Sequence, residues 1–316
     1  MATAKTTTKS LVPFVSDAPP VDDATNASCL VPSAPRGADV SAAPPRTLNA
    51  TSATTPPTEM SQGVDLDGLL RRLHLPTIRR LYAELQQHAE ATQMSYRDYL
   101  ATLVAEEVAH RTQTRIQRAT RKAHFPFLRT IEEFDFTFQT SIRLGLLGSY
   151  LGPELVTEGR CVIFAGRPGT GKTHLAVAIA YRAIQNGYET FFTTAADLID
   201  RLSTAARCGE VADALPTYCH PHVLVIDEIG YLAHSPDAAN VLFQVVDHRY
   251  LHRRPMIFTT NKPLEQWGRV LHDDDLAEAI TDRILERGRL VQLRGTSWRT
   301  RHLRPAAQTA TTKERP

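Results

Sequence analysis

Residues Cys161 to Ile184 read CVIFAGRPGTGKTHLAVAIAYRAI, and this stretch decides the fold. The apolar run CVIF is short and unbroken, as in a strand buried on both faces of a parallel sheet. HLAVAIAYRAI after it has helical periodicity. Between the two, Gly166-Arg167-Pro168-Gly169-Thr170-Gly171-Lys172-Thr173 fits G-x-x-x-x-G-K-[ST]. A loop of this composition folds its backbone N–H groups around phosphates, and the helix N-terminus behind it favours an anion. Lys172 is placed to reach the β and γ phosphates of a nucleotide, and Thr173 to offer its hydroxyl to Mg²⁺. A chance glycine-rich turn would not carry a strand before it and a helix after it.

Working outward, short apolar strands are expected at Val162 to Gly166, Thr190 to Thr194, Val223 to Asp227, Met256 to Thr260 and Leu290 to Leu293. Amphipathic helices of about ten to fifteen residues join them, which predicts a parallel sheet with helices on both faces. The apolar run Val223 to Ile226 ends in Asp227-Glu228. Carboxylates at that end of a strand face the phosphate loop in an open α/β sheet. Asp227 is the expected Mg²⁺ partner through water, and Glu228 the group that polarises the attacking water. An acidic strand cap is the alternative for either residue alone. The next strand ends in Asn261, whose amide can hold the water or the γ-phosphate, or can simply form the turn before Lys262-Pro263. Arg283, in TDRILER, can neutralise charge developing in phosphoryl transfer, often across a subunit boundary, or can pair with Asp282 or Glu286. The run Asp273 to Asp275 reads as a helix N-terminus rather than a metal site.

Upstream, from Asp65, apolar residues recur at three- and four-residue spacing. Leu66, Leu69, Leu70 and Leu73 are followed by Ile78, Leu81, Tyr82 and Leu85, and then by Leu100, Leu103, Val104 and Val108, which predicts three helices. The third continues into a segment without any acid between His110 and Arg129, carrying Arg111, Arg115, Arg118, Arg121 and Lys122. Arg111, Arg115, Arg118 and Lys122 share one helical face, an electrostatic stripe suited to the phosphate backbone of duplex DNA but not to reading bases. A solvated helix face is the plainer alternative. A second acid-free stretch, Arg287 to Arg304, holds six arginines and Trp298.

The chain has 316 residues, with 36 Lys plus Arg against 34 Asp plus Glu, a net charge of +2 that excludes a uniformly basic coat protein. Cys29, Cys161, Cys208 and Cys219 form no C-x-x-C pair, which points to free thiols in a reducing cytoplasm. No apolar run is long enough to span a bilayer and no signal-type segment follows the start, so a soluble cytoplasmic protein without membrane contact is expected. Thr, Pro, Ala and Ser dominate the stretch from Met1 to Met60, which leaves too little apolar surface to offset chain entropy. The expected domains are a disordered tail at 1–62, a basic helical DNA-binding domain at 63–128, an ATPase domain at 129–304 and a disordered tail at 305–316.

GRPGTGKTHLA, VLVIDEIGYL, AANVLFQVVDHRY, TTNKPLEQWG and GTSWR, with FPFLRTIEEFDFTFQ before them, resemble the IstB-like transposition helper ATPases, relatives of the DnaC-type helicase loaders in the initiator clade of AAA+ proteins. The resemblance covers about Asp65 to Arg304, and the stretch from Met1 to Met60 has no counterpart in it. It implies an AAA+ ATPase that assembles on duplex DNA as an ATP-bound homo-oligomer and engages a cognate transposase during target selection. It assigns Lys172 and Thr173 to Walker A, Asp227 and Glu228 to Walker B, Asn261 to sensor 1 and Arg283 to the intersubunit arginine finger. Arg299 matches the Arg of the family's closing G-x-S-Tyr-Arg pattern and becomes a candidate nucleotide contact, with Trp298 in place of the usual aromatic. ADLIDRLSTAARCGEVADAL matches the clade's extra helical insertion. Two other readings stay open: a replicative helicase loader, and a nucleotide-switched DNA-binding module with negligible turnover.

Overall fold

The structure, a computed structural model, describes residues 65–230 and 238–301. The tails expected at 1–62 and 305–316 therefore lie outside the described residues. Three helices come first: α1 (Leu66–Arg72), α2 (Pro76–Ala91) and α3 (Tyr96–Lys122). Two short ones follow, α4 (Leu144–Leu151) and α5 (Glu154–Thr157). Next come β1 (Cys161–Gly166), α6 (Lys172–Gln185), β2 (Thr190–Thr194), α7 (Ala195–Cys208), α8 (Val211–Ala214) and α9 (Pro216–Cys219). The chain continues through β3 (Val223–Ile229), α10 (Ala238–Leu251), β4 (Met256–Thr260), α11 (Trp267–Leu271), α12 (Asp274–Glu286) and β5 (Gly288–Leu293). The segment expected as an extra insertion folds as α7 and α8.

The five strands form one sheet in the order β2-β3-β4-β1-β5. Every pair is parallel, with Val162 opposite both Ile257 and Arg289, and Leu224 opposite Met256. This order puts β4 between β1 and β3. The loop after β1 and the ends of β3 and β4 therefore meet at one edge, where open α/β sheets bind ligands. β3 runs two residues past its expected end, and β5 starts two residues before its expected beginning.

The strands alternate their side chains between two helical layers, as the period of two requires. Val162, Phe164, Val225 and Ile257 pack against α4, α5 and α6. Ile163, Leu224, Ile226 and Phe258 pack against α7, α10, α11 and α12. Arg249 of α10 is fully buried, pairs with no carboxylate among the described residues and donates to the carbonyls of Tyr218, Cys219, Pro221, His222 and Pro255. It ties the approach to β3 to the approach to β4. Asp273 caps α12 by accepting from Leu276 N–H at 2.8 Å, as its acidic run predicts.

The helical bundle is thinner. Leu70, Ile78 and Leu103 form its core with Leu75, Tyr82, Leu85 and Tyr99 against them. Leu66, Leu69, Leu73, Leu100, Val104 and Val108 are exposed, so much of the periodic apolar signal does not mark core. The α2 N-terminus has no cap from its own segment. Glu107 of α3, 3% exposed, supplies one by accepting from Thr77 N–H at 2.9 Å and Ile78 N–H at 3.2 Å. The far end of α3 is anchored on the sheet, where Ala123 O accepts from Phe192 N–H at 2.8 Å. Among the described residues no helix is long and apolar enough to cross a membrane.

Candidate nucleotide and metal site

The phosphate loop needs glycine where its path turns. Gly169 and Gly171 have φ of 79° and 96°, in the left-handed region that side chains disfavour. A Cβ on Gly169 would stand 2.0 Å from Ser297 Oγ, and one on Gly171 would stand 2.6 Å from the Phe134 ring. The loop is thus enclosed from two sides, by the segment before α4 and by the segment after β5.

Both enclosing segments are hydrogen-bonded to the loop. Buried Gln139 donates from Nε2 to Thr170 O at 3.1 Å, and its Oε1 accepts from Ser141 Oγ at 2.8 Å. Trp298 N–H donates to Gly169 O at 2.9 Å, and the Trp298 ring meets Phe138 edge-on at 4.8 Å. His174 bonds Thr130 O at 2.9 Å and stacks edge-on with Phe134. Between these walls lies a cavity of about 860 Å³, within the range of ligand pockets. Pro168 to Thr173, Glu228, Asn261 and Arg299 line it, as do Phe134, Phe138 and Trp298. Gly166 stands at the loop's start, at the end of β1.

Lys172 reaches back across its loop and donates to Arg167 O at 3.0 Å. Burial pulls its pKa below the ordinary value; the charge of Asp227 opposes that shift and Arg299 adds to it. Arg299 lines the same cavity as Lys172. Thr173 Oγ1 lies 3.0 and 3.2 Å from the two oxygens of Asp227, which is 6% exposed. A hydroxyl and a carboxylate side by side beside a phosphate loop fit Mg²⁺, which prefers oxygen ligands and takes one or two carboxylates together with substrate phosphates.

The end of β3 departs from regular pairing. Ile226 faces Phe258 and Ile229 faces Thr260, so β3 carries one more residue than β4 over this interval. This β-bulge sets Asp227 and Glu228 against the single residue Thr259. Glu228 takes φ of 61°, a conformation costing on the order of 1–3 kcal/mol for a residue with a side chain. Asp227 stays buried while Glu228 is exposed and lines the cavity. Thr259, fully buried, accepts from Glu228 N–H at 3.0 Å and donates to Asp227 Oδ1. Thr260 bonds Ile229 O and accepts from Lys262 N–H at 3.0 Å, which fixes the turn that presents Asn261.

Not every expected residue gathers here. Arg283 does not line the cavity; its Nε donates to Asp247 Oδ1 at 2.9 Å and its guanidinium lies 4.7 Å from the centre of the Phe243 ring. Its carboxylate partner is thus Asp247 on α10, not Asp282 or Glu286; Glu286 is engaged by Tyr250 and Arg287. The basic stripe on α3 is uneven as well. Arg111 donates to Glu107 at 2.8 Å and to His74 O, and so belongs to the helix junction. Arg115 reaches towards Gly187, and Arg118, Arg121 and Lys122 are exposed. Reading the sequence misses Gln139, Phe134, Phe138 and Thr259. For the first three a signal exists in FPFLRTIEEFDFTFQ, which is too rich in aromatics for a plain linker. Thr259 offers none, since a threonine in an apolar strand is ordinary.

A family model described as IstB-like ATP binding protein matches residues 68–306. The chain is 37% identical over 233 residues to the IS5376 insertion-sequence ATP-binding protein of Geobacillus stearothermophilus, a match covering 74% of this chain and 92% of that one. It is 32% identical over 242 residues to the IS21 insertion-sequence ATP-binding protein of Pseudomonas aeruginosa, covering 77% and 91%. Among solved structures, the DnaC helicase loader matches with 28% identity and a TM-score of 0.42, over 48% of this chain and 88% of that one. With its phosphate loop, its Thr173–Asp227 pair and the family and sequence matches, the chain belongs to the IstB-like ATP-binding proteins of insertion sequences.

Proposed function

We propose that this protein is an AAA+-type ATPase that uses ATP to oligomerise on duplex DNA and assists a transposase in target selection. Residues 63–128 serve as its DNA-binding domain and residues 129–304 as its ATPase domain. The observation that carries the reading is the convergence of Lys172, Thr173 and Glu228 on one cavity at the end of the sheet, with Asp227 hydrogen-bonded to Thr173.

Lys172 and the loop N–H groups from Gly169 to Thr173 hold the β and γ phosphates of ATP. Thr173 and Asp227 hold Mg²⁺, which when bound neutralises charge on the phosphate oxygens. Glu228 takes a proton from the attacking water while the oxygen of that water bonds to the γ-phosphorus and the bond from the γ-phosphorus to the β-phosphate oxygen breaks, leaving ADP and phosphate. Asn261 orients the water, and Arg299 contacts the nucleotide from within the same chain. Arg283, held clear of its own cavity, serves the cavity of a neighbouring copy. Arg115, Arg118, Arg121 and Lys122 contact the DNA backbone; Arg111 supports the helix that carries them.

The test is light scattering and phosphate release by the full chain with ATP, Mg²⁺ and duplex DNA, beside Arg283→Ala. The expected result is ATP-dependent assembly on duplex, with the variant binding ATP normally but losing about 10³-fold in hydrolysis. An assembly that ignores duplex DNA but forms on a replicative helicase would replace this reading with the loader.

A further inference from the structure

The bulge at the end of β3 leaves the Glu228 N–H opposite a side chain instead of a strand carbonyl, and that side chain is Thr259. We infer that Thr259 is a positioning residue for both acidic groups of the site, one hydroxyl fixing the metal-side carboxylate of Asp227 and the backbone that aims Glu228. The inference rests on the assignment of Asp227 to the metal and Glu228 to the water.

A threonine hydroxyl has one proton to give and lone pairs to accept with, and both capacities are engaged here. The Oγ1 proton goes to Asp227 Oδ1, and the lone pair takes the Glu228 N–H at 3.0 Å. Thr259 is fully buried, so water cannot stand in for it. Its bond to Oδ1 limits rotation of the Asp227 carboxylate, whose two oxygens stand 3.0 and 3.2 Å from Thr173 Oγ1 beside the phosphate loop. Its bond to the N–H holds Glu228 at the positive φ that takes this side chain out to the cavity while Asp227 stays inside. A regular strand would alternate the two carboxylates between opposite faces. One hydroxyl thus sets where the cation's carboxylate points and where the base points, without touching the nucleotide.

The test uses the full chain as Thr259→Val, Thr259→Ser and Asp227→Asn. Binding of a fluorescent ATP analogue in EDTA reads the phosphate loop alone. The Mg²⁺ concentration giving half-maximal binding of the same analogue reads Asp227, and kcat reads both acids. Thr259→Val is expected to keep metal-free binding, to need about ten-fold more Mg²⁺ and to lose about ten- to a hundred-fold in kcat, the range for groups that orient metal ligands. Thr259→Ser should restore both properties. If Thr259→Val does not fold, Thr259→Cys, with similar volume and a far weaker donor, carries the same expectation. A valine variant with the parent's Mg²⁺ requirement and kcat, beside an Asp227→Asn that loses both, overturns the inference. So does a serine variant that melts like the parent yet restores neither property. An Asp227→Asn with an unchanged Mg²⁺ requirement overturns instead the metal reading beneath it.

Discussion

At the edge of the sheet, Thr173, Asp227, Glu228 and Thr259 form one hydrogen-bonded group beside the phosphate loop. Along α3, Arg118, Arg121 and Lys122 stand in solvent, while Arg111 is anchored by buried Glu107. The first region spends backbone strain and buried hydrogen bonds on fixing geometry, which phosphoryl transfer needs because its catalysis is mostly positioning and charge stabilisation. The second needs only charge in the right neighbourhood, because contacts to a phosphate backbone carry no base sequence and depend chiefly on counterion release. Substitutions should therefore act sharply at the sheet edge and gradually along the helix.

The largest effect is expected from Glu228→Gln, which keeps ATP bound and lowers kcat by about 10²–10⁴-fold, the contribution typical of a positioned base. ATP-bound assemblies on DNA should persist longer, as seen by gel shift or light scattering. Turnover equal to the parent would remove Glu228 from the base role and weaken the contrast between the two regions.

Next comes Glu107→Gln, which turns the same logic on the helical bundle. Burial alone would raise the Glu107 pKa, but the Arg111 hydrogen bond and the N–H groups of Ile78 and Thr77 outweigh it and hold the carboxyl below its ordinary value of 4.5. A depressed folded pKa contributes stability that is present above the unfolded value and lost as pH falls through the folded one. Glu107→Gln should therefore cost about 1–3 kcal/mol near neutral pH, measured by chemical denaturation. The difference from the parent should narrow as the pH falls below 4.5. Equal stability at neutral pH would show that the junction does not depend on the ion pair.

The smallest effect at any one condition is expected from neutralising Arg118, Arg121 and Lys122 together. Duplex affinity should fall modestly, and the slope of log affinity against log salt should flatten by about 0.9 for each lost phosphate contact. Arg111→Gln is the counterpart and should weaken the bundle while leaving that slope unchanged. A slope insensitive to all three charges would remove Arg118, Arg121 and Lys122 from the DNA surface.

Much of the site could be read in advance because its chemistry is local in the chain. GRPGTGKT is contiguous, and Asp227-Glu228 sits at the end of an apolar run, so strand periodicity and loop composition locate both. The walls of the cavity were less legible. Gln139 and Trp298 reach the loop from distant parts of the chain, one before β1 and one after β5, Gln139 through Thr170 O and Trp298 through Gly169 O. The helical bundle misleads in the opposite direction: the spacing of Leu66, Leu69, Leu73, Leu100, Val104 and Val108 predicts helices correctly, yet these side chains are exposed. Periodicity reports which face a helix could bury, while burial depends on whether a second surface lies against it.

The sequence by itself determined the phosphate loop, the parallel strands and the two acidic residues at the end of β3, because each is encoded by neighbours along the chain. Only the tertiary structure decided that β4 lies between β1 and β3, that Thr259 faces the bulge, that Arg283 rests on Asp247, and that Arg111 belongs to a helix junction. Those outcomes depend on which residues distant in sequence come within hydrogen-bonding distance. Strand order and helix packing set such distances, and no short run of residues contains them.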